Sequence, residues 1–131
     1  MLRRTDSSTA SAPSTGGFAI VRRELDERTS VITVEGELDL STAPSLKWTL
    51  VDSLDAGATR LVVDLSQVTF MDSTALGVLV AVNRRPQLSV PLAIVCQREN
   101  VRQVFEFSGT DGAFAICSTL DEALAGYSPG D

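Results

Sequence analysis

Histidine is absent from the chain, which removes the usual general base, the usual zinc ligand and every Ser-His-Asp or Cys-His arrangement. Hydrolytic catalysis is therefore not expected, and no catalytic residue is assigned. Cysteine is scarce, with Cys96 and Cys117 far apart and each inside an apolar run. Buried free thiols suit that placement better than a redox pair or a metal site, and they fit a reducing cytoplasm. Neither G-x-x-x-x-G-K-[ST] nor G-x-G-x-x-G occurs, so nucleotide and cofactor binding have no support. No apolar run approaches the roughly 18 residues of a membrane span, and the N-terminus lacks the apolar segment of a signal peptide. A soluble, cytoplasmic protein is expected. Basic charge is the minor kind: 11 Lys and Arg against 17 Asp and Glu leave a net charge of −6. An acidic surface argues against nucleic acid or an anionic membrane as partner and in favour of a protein.

What is present is a chain of 131 residues with 44% apolar side chains, enough for one domain with a core that needs no disulfide or metal. Residues 1–17, rich in Ser, Thr, Ala and Gly, read as a flexible tail. The domain is expected over 18–126, with a short tail at 127–131. Phe18 to Val21 reads as a first strand. From Val31 to Leu40 apolar and polar residues alternate, the period of a strand with one polar face. Glu35 and Glu37 are thus a solvated face rather than a metal cluster, and no metal ligand is assigned. Asp39 sits at the strand's C-terminal end, the edge where functional groups gather in α/β sheets.

Ser41 or Thr42 can cap a helix with Pro44 in its first turn, Leu46, Leu50 and Leu54 on one stripe, and Gly57 as its stop. At ~100° per residue Trp48 falls about 200° from Leu46 and points away from that stripe. Leu61 to Leu65 is apolar but for Asp64 and reads as a strand buried on both faces, with Asp64 as a hydrogen-bonding residue at its end. Thr74 to Asn83 supplies a helix with almost no polar face, which is either deeply buried or partly reserved for a partner. Ala75, Leu76, Val78 and Leu79 are the candidate partner-binding residues there, with Trp48 on the preceding helix. Pro91–Cys96 and Phe114–Cys117 read as strands and Glu99–Phe107 as a helix. Thr119 to Glu122 has capping-box spacing for a last helix. The order ββαβαβαβα predicts an α/β protein, a small mixed sheet with helices packed on it.

Asp72-Ser73-Thr74-Ala75-Leu76-Gly77 lies where a strand gives way to the apolar helix. A hydroxyl at a helix N-terminus meets unpaired N–H groups and the positive end of the dipole, both of which favour a phosphate. Ser73 is therefore a candidate phosphorylation site with Asp39, Asp72 and Thr74 around it. The same pattern also serves an ordinary cap formed by Asp72 or Ser73.

Two segments carry a resemblance. Gly36-Glu37-Leu38-Asp39-Leu40-Ser41-Thr42-Ala43 is similar to the strand-to-helix segment of the STAS domain family. Val63-Asp64-Leu65-Ser66 with Phe70-Met71-Asp72-Ser73-Thr74-Ala75-Leu76-Gly77 is similar to its phosphorylation-site segment, and Phe107-Ser108-Gly109 to a later helix end. Within that family the chain resembles the anti-sigma factor antagonists of bacterial partner switching over about residues 18–126. The resemblance implies a STAS-like fold and no enzymatic activity. It implies that Ser73 is phosphorylated by an anti-sigma factor that is itself a serine kinase using ATP, with Asp39 beside it. Unphosphorylated protein would bind that kinase and release the sigma factor, and a serine phosphatase would reset the phosphorylated form. Ala75 departs from the glycine common at its place, and the segment between Asn83 and Pro91 is short. A STAS-type accessory subunit of a transport or membrane-associated complex, docking without phosphorylation, is the alternative.

Overall fold

A computed structural model describes residues 17–125; apart from Gly17, the tails expected at 1–17 and 127–131 lie outside the described residues, as does residue 126. The chain runs β1 (Ala19–Glu24), β2 (Thr29–Leu38), α1 (Ala43–Asp55), β3 (Arg60–Met71), α2 (Ser73–Asn83), β4 (Ala93–Val95), α3 (Glu99–Phe107), a 3-10 turn (Asp111–Ala113), β5 (Ala115–Cys117) and α4 (Leu120–Leu124). The five strands form one sheet in sequence order, β1-β2-β3-β4-β5. β1 and β2 pair antiparallel, from Ala19 opposite Glu35 to Glu24 opposite Ser30, and all other neighbours are parallel. The expected order of elements is the observed one.

Alternation within each strand sends side chains to opposite faces, and here both faces are covered at the sheet's centre. Ile32, Val34, Leu61, Val63, Leu65 and Ile94 join the main core beneath the three longer helices, with Leu46, Leu50, Leu54, Leu79, Val101 and Phe105. Val31, Val62, Ala93 and Val95 face the other way, against α4 and its Ala123. This is why Leu61 to Val63 is an unbroken apolar run. α4 starts with Thr119 Oγ1 accepting the Glu122 N–H at 3.1 Å. The Glu122 carboxylate reaches back one residue beyond the N-cap, Oε1 accepting the Ser118 N–H at 2.8 Å.

Several strand ends differ from expectation, β1 running on to Glu24 and β4 shortened to Ala93–Val95, and two of the differences bear on the site. β2 stops at Leu38, and Leu40 is 74% exposed in the turn that follows. The alternation overran because residues 39–42 form a hydrogen-bonded turn and not a further pleat. β3 continues well past Leu65 to Met71. It pairs with β4 only over Val62–Asp64, whereas its second half pairs with β2 alone. One free edge explains the polar residues that masked this half, and Asn100 Nδ2 donates to the Thr69 carbonyl there at 3.0 Å. Asp64 is consequently mid-strand, its Oδ1 accepting from Ser66 N–H (3.0 Å) and Ser66 Oγ–H (2.7 Å). The β2–β3 register shifts on either side of Gly36, whose φ of +98° and whose notional Cβ, 3.0 Å from Phe18 Cα, admit only glycine.

Cys96 is buried in the main core, and Cys117 packs half-buried on the opposite face of the sheet. Cys117 is thus less buried than its apolar run suggested. The Cys96 N–H donates to the Cys117 carbonyl at 2.9 Å, so the backbones are neighbours while the thiols are separated by the sheet. Burial pushes the Cys96 thiol up to about 11, with Arg102 opposing and Glu106 reinforcing the shift. Burial likewise raises Cys117, with a further push from Glu122.

Candidate functional site

Parallel β2 and β3 end side by side. Leu38 pairs with Met71, and the Asp72 N–H donates to the Leu38 carbonyl at 3.0 Å. The next residues, Asp39 on one strand and Asp72-Ser73 on the other, leave the sheet at the same edge.

Each aspartate has local work. Asp39 Oδ1 accepts from Ser41 Oγ–H (2.8 Å), Ser41 N–H (3.0 Å) and Thr42 N–H (3.2 Å). The Thr42 hydroxyl accepts the Asp39 N–H at 2.9 Å and donates to the Glu37 carbonyl at 2.8 Å. Thr42 stands at the N-cap of α1, yet its side chain makes no capping bond because it is spent on this turn. The Ser41 hydroxyl holds the Asp39 carboxyl below its ordinary value of 3.8; partial burial opposes this, and bonds from Thr42 and the Ser41 N–H assist. Asp72 is the N-cap of α2, with Oδ1 accepting from Thr74 N–H (2.9 Å) and Ala75 N–H (3.1 Å). Its carbonyl accepts the Leu76 N–H at 3.2 Å.

Of the two possible caps, Asp72 has taken the role. Ser73, the first residue of α2, is exposed and its hydroxyl makes no hydrogen bond to any described residue. Because Asp72 occupies the N–H groups of Thr74 and Ala75, a group attached to Ser73 finds no ready cradle of backbone donors. It feels the helix dipole and faces outward instead.

The partner-binding residues expected on α2 need correction. Ala75 and Leu79 are 0% exposed and Leu76 is 6% exposed, so their side chains belong to the core and cannot meet a partner. α1 and α3 both flank α2 on the same face of the sheet, which turns most of its apolar surface inward. Val78 is half-buried, and the open side of the helix carries Ser73, Thr74, Gly77 and Ala81. Trp48 points outward, 61% exposed, with Lys47 Nζ 5.8 Å from its ring centroid.

A groove of about 270 Å³ lies between α1 and α2, walled by Val51 of α1 and Val78 and Ala81 of α2, with Thr74 and Gly77 along it. Lys47 and Arg85 also line it. None of Lys47, Arg85, Gly77 or Ala81 is among the candidate site residues of the sequence, although Gly77 closes the Asp72–Gly77 motif. Gly77 and Ala81 at i, i+4 were the available sign, since two small residues one turn apart leave a hollow. Among the described residues no group of three Asp, Glu or Cys side chains could hold a metal ion. No described helix is long and apolar enough to cross a membrane.

Comparison with known proteins fits this architecture. The STAS domain family model matches residues 21–123. The chain belongs to the STAS domain family. Anti-sigma-F factor antagonist RsfB of Mycobacterium tuberculosis is 34% identical to this STAS domain over 101 residues, 77% of this chain and 83% of RsfB. The anti-sigma-B factor antagonist of Staphylococcus epidermidis is 34% identical over 79 residues, 60% of this chain and 73% of the relative. Among solved structures, an anti-sigma factor antagonist from Mycobacterium paratuberculosis superposes with a TM-score of 0.77 at 28% identity, covering 88% of this chain and 97% of its own. These names describe antagonists of other regulators and not catalysts.

Proposed function

We propose that this STAS domain is a cytoplasmic anti-sigma factor antagonist controlled at Ser73. Unphosphorylated, it binds an anti-sigma factor that is a serine kinase and so releases the sigma factor. The kinase moves the γ-phosphoryl of ATP onto Ser73 Oγ, with loss of the hydroxyl proton and release of ADP, and the modified chain lets go. A serine phosphatase returns it to the binding form.

The observation that carries this reading is the Ser73 hydroxyl itself, exposed and unbonded at the start of α2 while the neighbouring Asp72 does the capping. A hydroxyl held by the fold would have to be released before transfer, and this one needs no release. The names of the relatives support the antagonist role. A phosphoserine brings nearly two negative charges and three acceptor oxygens. At a helix start the dipole tolerates them, so the fold persists. Beside Asp39 and Asp72 they repel an acidic surface and add a desolvation cost to any interface built over this edge. Reversing a binding equilibrium from about 99:1 to 1:99 needs about 5.5 kcal/mol of differential affinity, and an unpaired dianion in an interface can supply much of it.

The test is affinity capture from host lysate with wild-type, Ser73→Ala and Ser73→Asp baits. Wild type and Ser73→Ala are expected to hold a kinase-type anti-sigma factor that Ser73→Asp loses, and the captured kinase should label wild type but not Ser73→Ala from radioactive ATP. Equal capture of a membrane-complex subunit by all three baits would replace the proposal with a docking role independent of phosphorylation.

A further inference from the structure

We propose that the groove between α1 and α2 receives an apolar side chain from an acidic segment of the anti-sigma factor, with Lys47 and Arg85 as the cations that read the flanking carboxylates; this rests on the functional reading above. Its volume of about 270 Å³ falls just below the ~300–1,000 Å³ of small-molecule pockets, a size suited to one or two side chains of a protein. The walls are apolar through Val51 and Val78, and among the described residues no acidic side chain lines the space. Lys47 and Arg85 form no salt bridge with a described residue. Lys47 lies 5.8 Å from the Trp48 ring centroid but makes no ion pair with a described residue. In a chain of net charge −6, a groove with two cations free of ion pairs and no described carboxylate selects an occupant of the opposite sign. The chain's own residues 1–16 carry Arg3 and Arg4 against Asp6 alone, the wrong sign for it.

Gly77 gives an independent reason. It lies inside α2, where glycine costs about 0.5–1 kcal/mol relative to alanine. Its φ is not in the left-handed region and a Cβ there would meet nothing within 4 Å. The fold has no need of glycine at this position, whereas the groove does, because a side chain at Gly77 would occupy it. Thr74 ties the groove to the switch, for it lines one part of it and directly follows Ser73. A phosphate on Ser73 would thus stand beside one end of the groove, repelling the partner's carboxylates.

The experiment measures dissociation constants for the kinase-type anti-sigma factor held by the wild-type bait, using wild type, Gly77→Leu, Lys47→Glu/Arg85→Glu and Ser73→Asp, at low and high salt. Gly77→Leu and the double charge reversal are each expected to weaken binding roughly tenfold or more with melting temperature retained, and the double variant to reverse the salt dependence, binding more tightly as salt rises. If both bind within about twofold of wild type while Ser73→Asp fails, the groove is not the docking site and the switch stands. If wild type holds no such anti-sigma factor, the functional reading falls and the groove's occupant with it. A photocrosslinking residue at Ala81 should label a partner segment with carboxylates flanking an apolar residue; labelling of residues 1–16 or of a second copy would overturn the assignment.

Discussion

The Asp72 carboxylate accepts two amide hydrogen bonds at the start of α2, whereas the Ser73 hydroxyl beside it makes none with any described residue. Asp72→Ala should therefore cost about 1 kcal/mol in urea unfolding, the usual loss for an N-cap, and Ser73→Ala should stay within about 0.5 kcal/mol of wild type. Asp39 shows how a short polar turn tunes a carboxylate. Its folded-state pKa lies below the ordinary 3.8, chiefly through the Ser41 hydroxyl. A depressed carboxylate contributes stability above its unfolded pKa and loses it as pH falls through the folded value. The turn at residues 39–42 should accordingly loosen only at acid pH below 3.8. Carboxyl-detected NMR is expected to find an Asp39 midpoint under 3.8 that moves upward in Ser41→Ala. A midpoint that stayed put would rule out the hydroxyl as the main cause.

Elements are joined here by a few side-chain hydrogen bonds, two of them made by Asn83. Asn83 closes α2 by donating from Nδ2 to the Ala113 carbonyl at 2.9 Å and accepting the Leu92 N–H at Oδ1 at 2.8 Å. It thereby ties the helix to the entry of β4 and to the 3-10 turn. Removing it leaves the Leu92 N–H unpaired on a residue with no exposure, so Asn83→Ala should cost about 1–3 kcal/mol. Hydrogen exchange is the direct check, with the Leu92 amide expected to accelerate while amides of β2 do not. Strand length was the element property least visible beforehand. The second half of β3 falls outside the Leu61–Leu65 run because an extended segment with one open edge carries polar residues that an alternation test discounts.

At the scale of the molecule the question is which face of each element the fold consumes. Leu79 lies in the main core and Val78 beside it is only half-buried. Leu79→Ala should cost about 2–5 kcal/mol and Val78→Ala about 1 kcal/mol or less; equal losses in chemical denaturation would mean that α2 is seated differently. The sequence by itself determined the order of elements, the buried stripe of α1, the buried runs of the central strands and the placement of Ser73 at a helix start. Each of these is a matter of local period or of turn and cap chemistry, and local interactions fix it. It could not tell that Ala75, Leu76 and Leu79 face inward, because a helix apolar on every side has no phase to read. Only the packing of α1 and α3 against α2 decided that, together with the groove that brings Lys47 to Arg85. Those contacts join residues distant along the chain, and their geometry comes from the sheet on which all three helices rest.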